Sequence, residues 1–450
     1  MTIAPAVGAG AVRVGRPSDR GSARRRAWSA LAIAWLLVVA TAPPTVAAPS
    51  SLSLTATYRV NAHIHWSRGS MLVSSTALVT NSTPSNVTRL VFNLVPLVTG
   101  KAELLAVSVA RKTVDAVARG QTVVVRLPQP LAPGHRVLVK IRYRAQFNAV
   151  TGWRQPLFGQ VDGVITAYRW IPWLSRRQPF HAPNFGETWV TGVSPSVTVT
   201  LTSAAPLIFA TSGTRTGRTT NSQTFSAQNV RDFNFSASPD YKVRRLTSNG
   251  VAVRIYYLTG RPDLLAQSAI AALDRFSDKV APYPHKSLNL AEVPISTGME
   301  SPALVWISDS ATPEAVRRIV IHEVAHQWFY SAVGNNQGLQ PFLDESVSEF
   351  LMRNLLDSFP RSACATERLD LSVYDYGASC YADIVYIQGA RYLERYRSEV
   401  GSHDFWVGLR AFYEANKLDL GNTRALLDSL DAASGYDSQR HANRFPGLYP

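Results

Sequence analysis

Residues 50 to about 248 alternate between apolar and polar positions in the way that is typical of β-strands. Apolar side chains occupy every second position of 137–143 and of 197–201. A period of two with one apolar face indicates half-buried strands. No long helical pattern interrupts this region. The sequence therefore predicts a β-sandwich or a curved sheet made of many short strands.

The pattern changes after Tyr257, where apolar residues begin to recur at helical spacing. It predicts an amphipathic helix over 262–280, a short strand over 288–293 and a further helix over about 342–356. Between them, Thr312 is a candidate N-cap and Pro313 suits a first helical position, which predicts a helix that continues through Tyr330. The remainder of the chain is predicted to be helical with loops.

These patterns divide the chain into four segments. At 450 residues it is too long for one compact core. We predict a leader over 1–48, a β-sandwich domain over 49–248, a catalytic α/β domain over 249–395 and a helical C-terminal segment over 396–450.

The leader has the order of a secretory signal. Arg24–Arg26 precede a charge-free run over 27–42, and small residues follow at Ala47 and Ala48. Retention of this run as an N-terminal anchor, which would associate the chain with a membrane, is the alternative to cleavage. Both alternatives place the rest of the chain outside the cytoplasm, either secreted or anchored.

Composition narrows the classes of protein and of partner. The hydrophobic fraction of 46% and the charged fraction of 17% exclude a largely disordered chain. The formal net charge is +15, but no basic cluster with interleaved aromatic residues appears beyond the leader. We therefore predict no nucleic-acid partner. The sequence does not indicate an oligomeric state.

Two cysteines, Cys364 and Cys380, lie sixteen residues apart. In an exported chain such an isolated pair is a candidate disulfide, and its spacing differs from that of short zinc or redox motifs.

A histidine and glutamate motif lies within the helix predicted from Pro313. His322 and His326 are four residues apart, so both side chains can reach one ion from the same helix face. A catalytic zinc site needs three protein ligands and an open position. Glu345, nineteen residues after His326, is the third candidate ligand, and Glu323 is the candidate general base. These residues predict one zinc ion per chain.

The same residues carry a resemblance to a known family. His322-Glu-Val-Ala-His-Gln-Trp-Phe329, followed by Phe342-Leu-Asp-Glu-Ser-Val-Ser-Glu-Phe350, resembles the membrane alanyl aminopeptidase family of zinc peptidases, the gluzincins that include leukotriene hydrolase. The resemblance implies a thermolysin-like catalytic domain after the β-sandwich and a peptide substrate. Weaker similarity extends through Val230-Arg-Asp-Phe233 and Arg169-Trp-Ile-Pro172.

Two further positions take a role from this resemblance. Thr297-Gly-Met-Glu-Ser301 is similar to the Gly-Ala-Met-Glu-Asn signature of the family, which implies that Glu300 binds the free α-amino group of the substrate. Tyr386-Ile-Gln-Gly389 resembles the Tyr-x-Lys-Gly motif, with Gln388 in place of lysine, and implies that Tyr386 hydrogen-bonds to the tetrahedral intermediate. Tyr374, Tyr376 and Tyr381 are competing tyrosines.

The sequence thus predicts an exported zinc aminopeptidase. Departures from the signature around Glu300 leave open an endopeptidase or another hydrolase of the same fold. A non-catalytic peptide-binding scaffold is a further alternative, although both histidine ligands, Glu345 and Glu323 are all present. Either Glu349, one helical turn beyond Glu345, or Asp344 could accept the second ring N–H of a zinc-bound histidine, or each could be a solvated helix acid.

Overall fold

The computed structural model describes residues 50–149, 157–176, 190–365, 368–377 and 379–449. All of these residues fall within one compact unit. The predicted leader or anchor, residues 1–48, lies outside the described residues. Within the described ranges, no helix combines the length and the apolar character that a membrane span requires.

The first half of the described chain consists of β-strands connected by turns and short loops. The strands of this half are β1 Thr55–His65, β2 Ser70–Thr80, β3 Val87–Asn93, β4 Glu103–Val109, β5 Lys112–Thr113, β6 Ala116–Arg119, β7 Thr122–Leu131, β8 Arg136–Gln146, β9 Phe158–Val161, β10 Val164–Ala167, β11 Trp173–Leu174, β12 Val197–Ser203, β13 Ile208–Thr211, β14 Thr214–Arg218, β15 Ser222–Ala227, β16 Phe235–Ser238 and β17 Lys242–Ser248. In the described ranges they are interrupted by one short α-helix, α1 Pro96–Thr99, and by a 3₁₀ turn, Trp66–Arg68.

Three sheets form the β domain. The largest has eight strands in the order β14, β15, β12, β1, β2, β8, β4, β5, and two four-stranded sheets have the orders β13, β16, β10, β9 and β11, β3, β7, β6. Burial alternates along β8 and β12 as the sequence predicted. Apolar residues of β1, β2 and β8 share one hydrophobic cluster with residues of β3, β7 and β16, so the sheets pack face to face.

The second half combines a mixed sheet with helices. Its further strands are β18 Val251–Tyr257, β19 Ser287–Val293, β20 Gly298–Ser301 and β21 Leu304–Ser308, and its helices are α2 Pro262–Lys279, α3 Pro313–Ala325, α4 Val347–Leu356, α5 Gly389–Val400, α6 Ser402–Asn416 and α7 Thr423–Ser434. The sheet order is β17, β18, β19, β21, β20. The predicted order of a β domain, an α/β domain and a helical tail is confirmed.

The boundary between the two domains is not a break in the sheets. Strand β17 ends at Ser248, before the predicted boundary, yet it pairs with β18 in the sheet of the second half. The predicted domain limits of 49–248, 249–395 and 396–450 stay a prediction.

The prediction that one helix continues from Pro313 to Tyr330 is wrong at its C-terminal end. Helix α3 ends at Ala325, with His326 at the C-cap in a helical conformation. Beyond it, the amides of Gln327 and Trp328 bond to carbonyls three residues back, so the chain tightens as helix ends often do. Tyr330 has a φ of 134°, which a continuing α-helix does not allow.

The predicted disulfide is confirmed. Cys364 and Cys380 are bonded in the segment that connects α4 to the turn before α5. Gln388 contacts this segment, because its Nε2 donates to the Cys364 carbonyl at 2.9 Å. Gln388 follows Tyr386 by two residues along the chain.

Candidate metal centre and active site

Helix α3 carries His322 in its last turn and His326 at its C-cap. Its first turn is fixed by Thr312, whose Oγ1 accepts the Ala315 amide at 3.3 Å, and by Pro313 at the first helical position. Apolar residues along its inner face pack into the hydrophobic cluster of this half. The histidines are therefore held one turn apart on a rigid, buried helix end.

Three donor atoms converge at this point. His322 Nε2 lies 3.1 Å from His326 Nε2 and 3.2 Å from Glu345 Oε2, and the His326–Glu345 distance is 3.5 Å. Zinc bonds of about 2.0–2.1 Å in a tetrahedron separate neighbouring donors by about 3.3 Å. The three side chains are also buried. Their geometry and chemistry therefore fit zinc.

The electrostatics of the centre also favour a cation. Burial alone would lower the pKa of His322, but hydrogen bonds to Glu345 and Glu349 raise it well above its ordinary value. Glu345 shows the converse, because the two histidines outweigh its burial and lower its pKa. Buried charges of this kind are usually paired or coordinate a metal.

Glu345 reaches the histidines from a π-helical turn, Phe342–Ser346, that leads into α4. Such turns are frequent at functional sites. Ser346 Oγ donates to the Val385 carbonyl at 2.6 Å, which ties this turn to a second π-helical turn, Asp383–Gln388. A Cβ on Gly389 would lie 2.1 Å from Ser346 Oγ, so only glycine permits this close approach.

The outer ring nitrogens of both histidines have acceptors or partners. His322 Nδ1 lies 2.8 Å from Glu349 Oε2, and Arg353 pairs with the other oxygen of Glu349 at 2.5 Å. His326 Nδ1 lies 3.1 Å from the Phe329 carbonyl and 3.1 Å from Ser348 Oγ.

Asp344, the alternative partner for His322, instead accepts a hydrogen bond from Asn335 Nδ2 at 2.9 Å. Of the two candidates, Glu349 is the residue that contacts His322.

Glu323 lies beside the centre and is not one of the three converging donors of His322, His326 and Glu345. Its buried Oε2 has no hydrogen-bond partner among the described residues. Burial raises the pKa of Glu323 to about 8, against the opposing effect of the two histidines. A Cβ on Gly298 would lie 2.2 Å from Glu323 Oε1. Glycine, where the family signature has alanine, therefore leaves room for this carboxylate.

Glu300 lies on β20, the edge strand of the five-stranded sheet, and is buried. One carboxylate oxygen of Glu300, one of Glu323 and a ring nitrogen of His326 lie within 4.8 Å of one another. Burial raises the pKa of Glu300. The two sequence motifs, which are separated by about twenty residues, thus meet at a single site.

Tyr386 is the candidate tyrosine that packs against the centre. Its ring stacks on His322, with 5.5 Å between ring centroids and 24° between planes. Tyr376 instead donates its hydroxyl to the Arg368 carbonyl, and Tyr381 packs edge-on against Tyr386. Tyr374 is exposed.

Sequence reasoning missed Gln337, which donates from Nε2 to Glu300 Oε1 at 3.1 Å. It also gave no role to Arg169 and Asp232, although both lie in the two segments of weaker similarity. The weaker similarity of those two segments to the family was the only hint of a role, and nothing in their spacing indicated that they lie near Glu300.

Comparison with known proteins finds aminopeptidases that are similar to this chain. No family model matches the chain. Aminopeptidase M1 of Arabidopsis thaliana is 25% identical over 227 residues, which are 42% of this chain and 26% of that protein. The chain therefore spans about a quarter of the length of this curated relative.

Solved structures match over most of the chain. A point mutant of an M1 zinc metallopeptidase from Deinococcus radiodurans has a TM-score of 0.67 at 18% identity and covers 87% of this chain and 94% of its own. A mutant of the Deinococcus enzyme bound to a Tyr-Ser-Ala substrate has a TM-score of 0.65 at 19% identity, with the same coverage of 87% and 94%. These comparisons confirm the fold and the resemblance to the zinc aminopeptidase family.

Proposed function

We propose that this chain, a relative of the M1 aminopeptidases, is a zinc-dependent aminopeptidase that removes residues from the N-termini of peptides. The observation that carries the proposal is the convergence of two motifs. The donors of His322, His326 and Glu345 meet at one point, and the carboxylates of Glu323 and Glu300 lie beside it.

His322, His326 and Glu345 would hold the zinc ion, and Glu349 and Ser348 would orient the two histidine rings. When bound, zinc supplies a Lewis acid that polarises a carbonyl and lowers the pKa of water from about 15.7 to about 7.

Glu323 acts as the general base. It accepts a proton from the attacking water and returns it to the leaving amine. Its partnerless, buried Oε2 supports this role, because a carboxylate in that state has a lone pair to offer to water.

Glu300 selects the N-terminal residue. In an amino acid, the amino nitrogen lies only about 2.5 Å from the carbonyl carbon of the same residue. A carboxylate that binds the ammonium group must therefore lie within a few ångströms of the base, and Glu300 meets this condition at no more than 4.8 Å from Glu323. The charge-assisted hydrogen bond then places the first peptide bond at the centre.

Tyr386 donates a hydrogen bond to the oxyanion of the tetrahedral intermediate. Its stacking on His322 supports this role, because it holds the side chain beside the site of reaction.

The site of action that we propose is outside the cytoplasm. The Cys364–Cys380 disulfide supports this proposal, since such bonds persist in oxidising compartments.

The test compares a tripeptide library that has free N-termini with the same library after N-acetylation. Because acetylation leaves the buried Glu300 without its cation, we expect kcat/KM to fall by about 30- to 1,000-fold, equivalent to about 2–4 kcal/mol. Mass spectrometry should show loss of the first residue from the free peptides.

Glu300→Ala provides the control, because it should erase most of this difference while zinc content stays the same. A wild-type protein that cleaves acetylated and free peptides equally well is an endopeptidase and contradicts the proposal.

A further inference from the structure

A buried hydrogen-bond network joins the β domain to Glu300. Arg169 comes from the segment between β10 and β11, and Asp232 from the segment between β15 and β16. Tyr330 and Gln337 come from the loop after α3. All four side chains are at most 5% exposed. The network thus lies in the interior, where residues distant in sequence meet.

Two hydrogen bonds through Gln337 connect Arg169 to Glu300. Arg169 Nη2 donates to Gln337 Oε1 at 3.1 Å, and Gln337 Nε2 donates to Glu300 Oε1 at 3.1 Å. Arginine has only donors, so the amide oxygen of Gln337 must face it. The amide NH₂ group is thereby turned toward Glu300. The arginine therefore fixes which end of the glutamine the carboxylate meets.

The arginine is itself held firmly in place. Its Nη2 also donates to the Tyr330 hydroxyl at 3.0 Å, and its Nε lies 3.6 Å from Asp232 Oδ2. Tyr330 in turn donates to Asp232 through a short hydrogen bond. Salt-linked, buried side chains of this kind lose little freedom when a ligand binds, which suits them to positioning.

Backbone strain at Tyr330 supports a functional role. Its φ of 134° is in a region that residues with a side chain rarely adopt. Such strain is unfavourable and persists where the surroundings fix the conformation, most often at active sites. Here the strained residue is the one that contacts both Arg169 and Asp232.

We propose that Gln337, oriented by Arg169, is a positioning residue that sets the selectivity for a free N-terminus by holding Glu300. This inference rests on the proposed aminopeptidase function. Glu300 would be fixed at Oε1 before substrate arrives, so the ammonium group meets a carboxylate of settled orientation. Without that hydrogen bond the carboxylate would sample other rotamers and bind the amine less well.

The test measures the ratio of kcat/KM for a free tripeptide to that for its N-acetylated form, in a double-mutant cycle. The cycle uses wild type, Gln337→Leu, Glu300→Ala and the double variant. We expect Gln337→Leu to lower the ratio by about 10- to 100-fold, because a buried carboxylate loses its donor. In the Glu300→Ala background the same change should have no further effect, since Gln337 acts through Glu300.

Gln337→Met guards against a variant that fails to fold. It keeps the approximate length and volume of the side chain but offers no donor to Glu300, so the ratio should fall as well. Gln340→Leu is the matched control in the same loop. Gln340 accepts the Thr423 amide instead, and its loss should leave the ratio unchanged.

The outcomes separate the two proposals. Wild-type selectivity that survives both Gln337 substitutions overturns the role of Gln337 and leaves the aminopeptidase function standing. If Gln337→Leu lowers kcat/KM for the free tripeptide by the same factor in the Glu300→Ala background as in wild type, its role is a general structural one, which overturns the proposal too. A wild-type protein without selectivity overturns the aminopeptidase function itself.

Discussion

Among single residues, Glu323 is the proposed general base and is not one of the three proposed zinc ligands. We predict that Glu323→Gln keeps zinc affinity close to that of wild type, because His322, His326 and Glu345 are unchanged. Turnover should fall by about 10²–10⁴-fold or more, since the amide cannot accept the water's proton. Steady-state kinetics on zinc-loaded protein would measure this. Undiminished turnover in that variant would remove Glu323 from the mechanism.

Glu349 offers a second prediction at this scale. Its Oε2 lies 2.8 Å from His322 Nδ1, and its other oxygen pairs with Arg353. Loss of such an outer acceptor typically costs about 10–100-fold in metal affinity or activity. We therefore expect Glu349→Gln to bind zinc more weakly by that factor, as measured by competition with a chelator.

The control for this prediction is Glu394→Gln, which removes a carboxylate that pairs with Arg397 away from the centre. It should leave zinc affinity unchanged. Equal affinities in Glu349→Gln and wild type would assign Glu349 to local helix stability alone.

The approach of the two proposed histidine ligands could be predicted from sequence, because helical spacing places His322 and His326 on one face. Gln337 and Arg169 could not be predicted in this way. Their contacts with Glu300 depend on how the β domain packs against the loop after α3, which leaves no local pattern. The sequence alone does not distinguish Asp344 from Glu349 as the acceptor for a histidine ring N–H. In the structure, Asp344 accepts a hydrogen bond from Asn335, and Glu349 contacts His322.

Two π-helical turns, Phe342–Ser346 and Asp383–Gln388, contact each other beside the site. Their close approach depends on Gly389. A Cβ there would lie 2.1 Å from Ser346 Oγ, next to the ligand Glu345. We predict that Gly389→Ala destabilises the protein by about 1–3 kcal/mol, the usual cost of overpacking. Because the strain falls on the turn that carries Glu345, zinc affinity should decrease too.

Chemical denaturation and zinc competition would test the substitution. Gly260→Ala is the control, since a Cβ at Gly260 would meet nothing within 4 Å. A Gly389→Ala protein as stable as wild type, with the same zinc affinity, would contradict the proposed packing constraint.

Elements with a clear period were predicted well, and their irregular ends were not. Strand β8 and helix α2 follow their patterns closely. Helix α3 ends earlier than its apolar pattern indicated, and the buried residues after Ala325 pack against the core from a non-helical turn. The π-helical turns also escaped prediction, since one extra residue in a turn hardly alters a hydrophobic pattern.

In the whole molecule, residues of the β domain contact the loop after α3, which borders the site. Arg231 donates to the carbonyls of Thr191, Ser331 and Ala332, so it fastens the loop after α3 to the β domain. The order of the domains could be predicted because it follows from local patterns. The sharing of β17 between the two halves could not, because strand pairing over long distances depends on the tertiary structure.

We propose that one zinc ion, held by His322, His326 and Glu345, supports peptide hydrolysis with Glu323 as base. Zinc titration of the metal-free protein, followed by the rate of hydrolysis of a free tripeptide, tests it most directly. We expect the rate to rise from near zero in proportion to added zinc and to level off at one equivalent. Full activity in the metal-free protein, unchanged by added zinc, would contradict it.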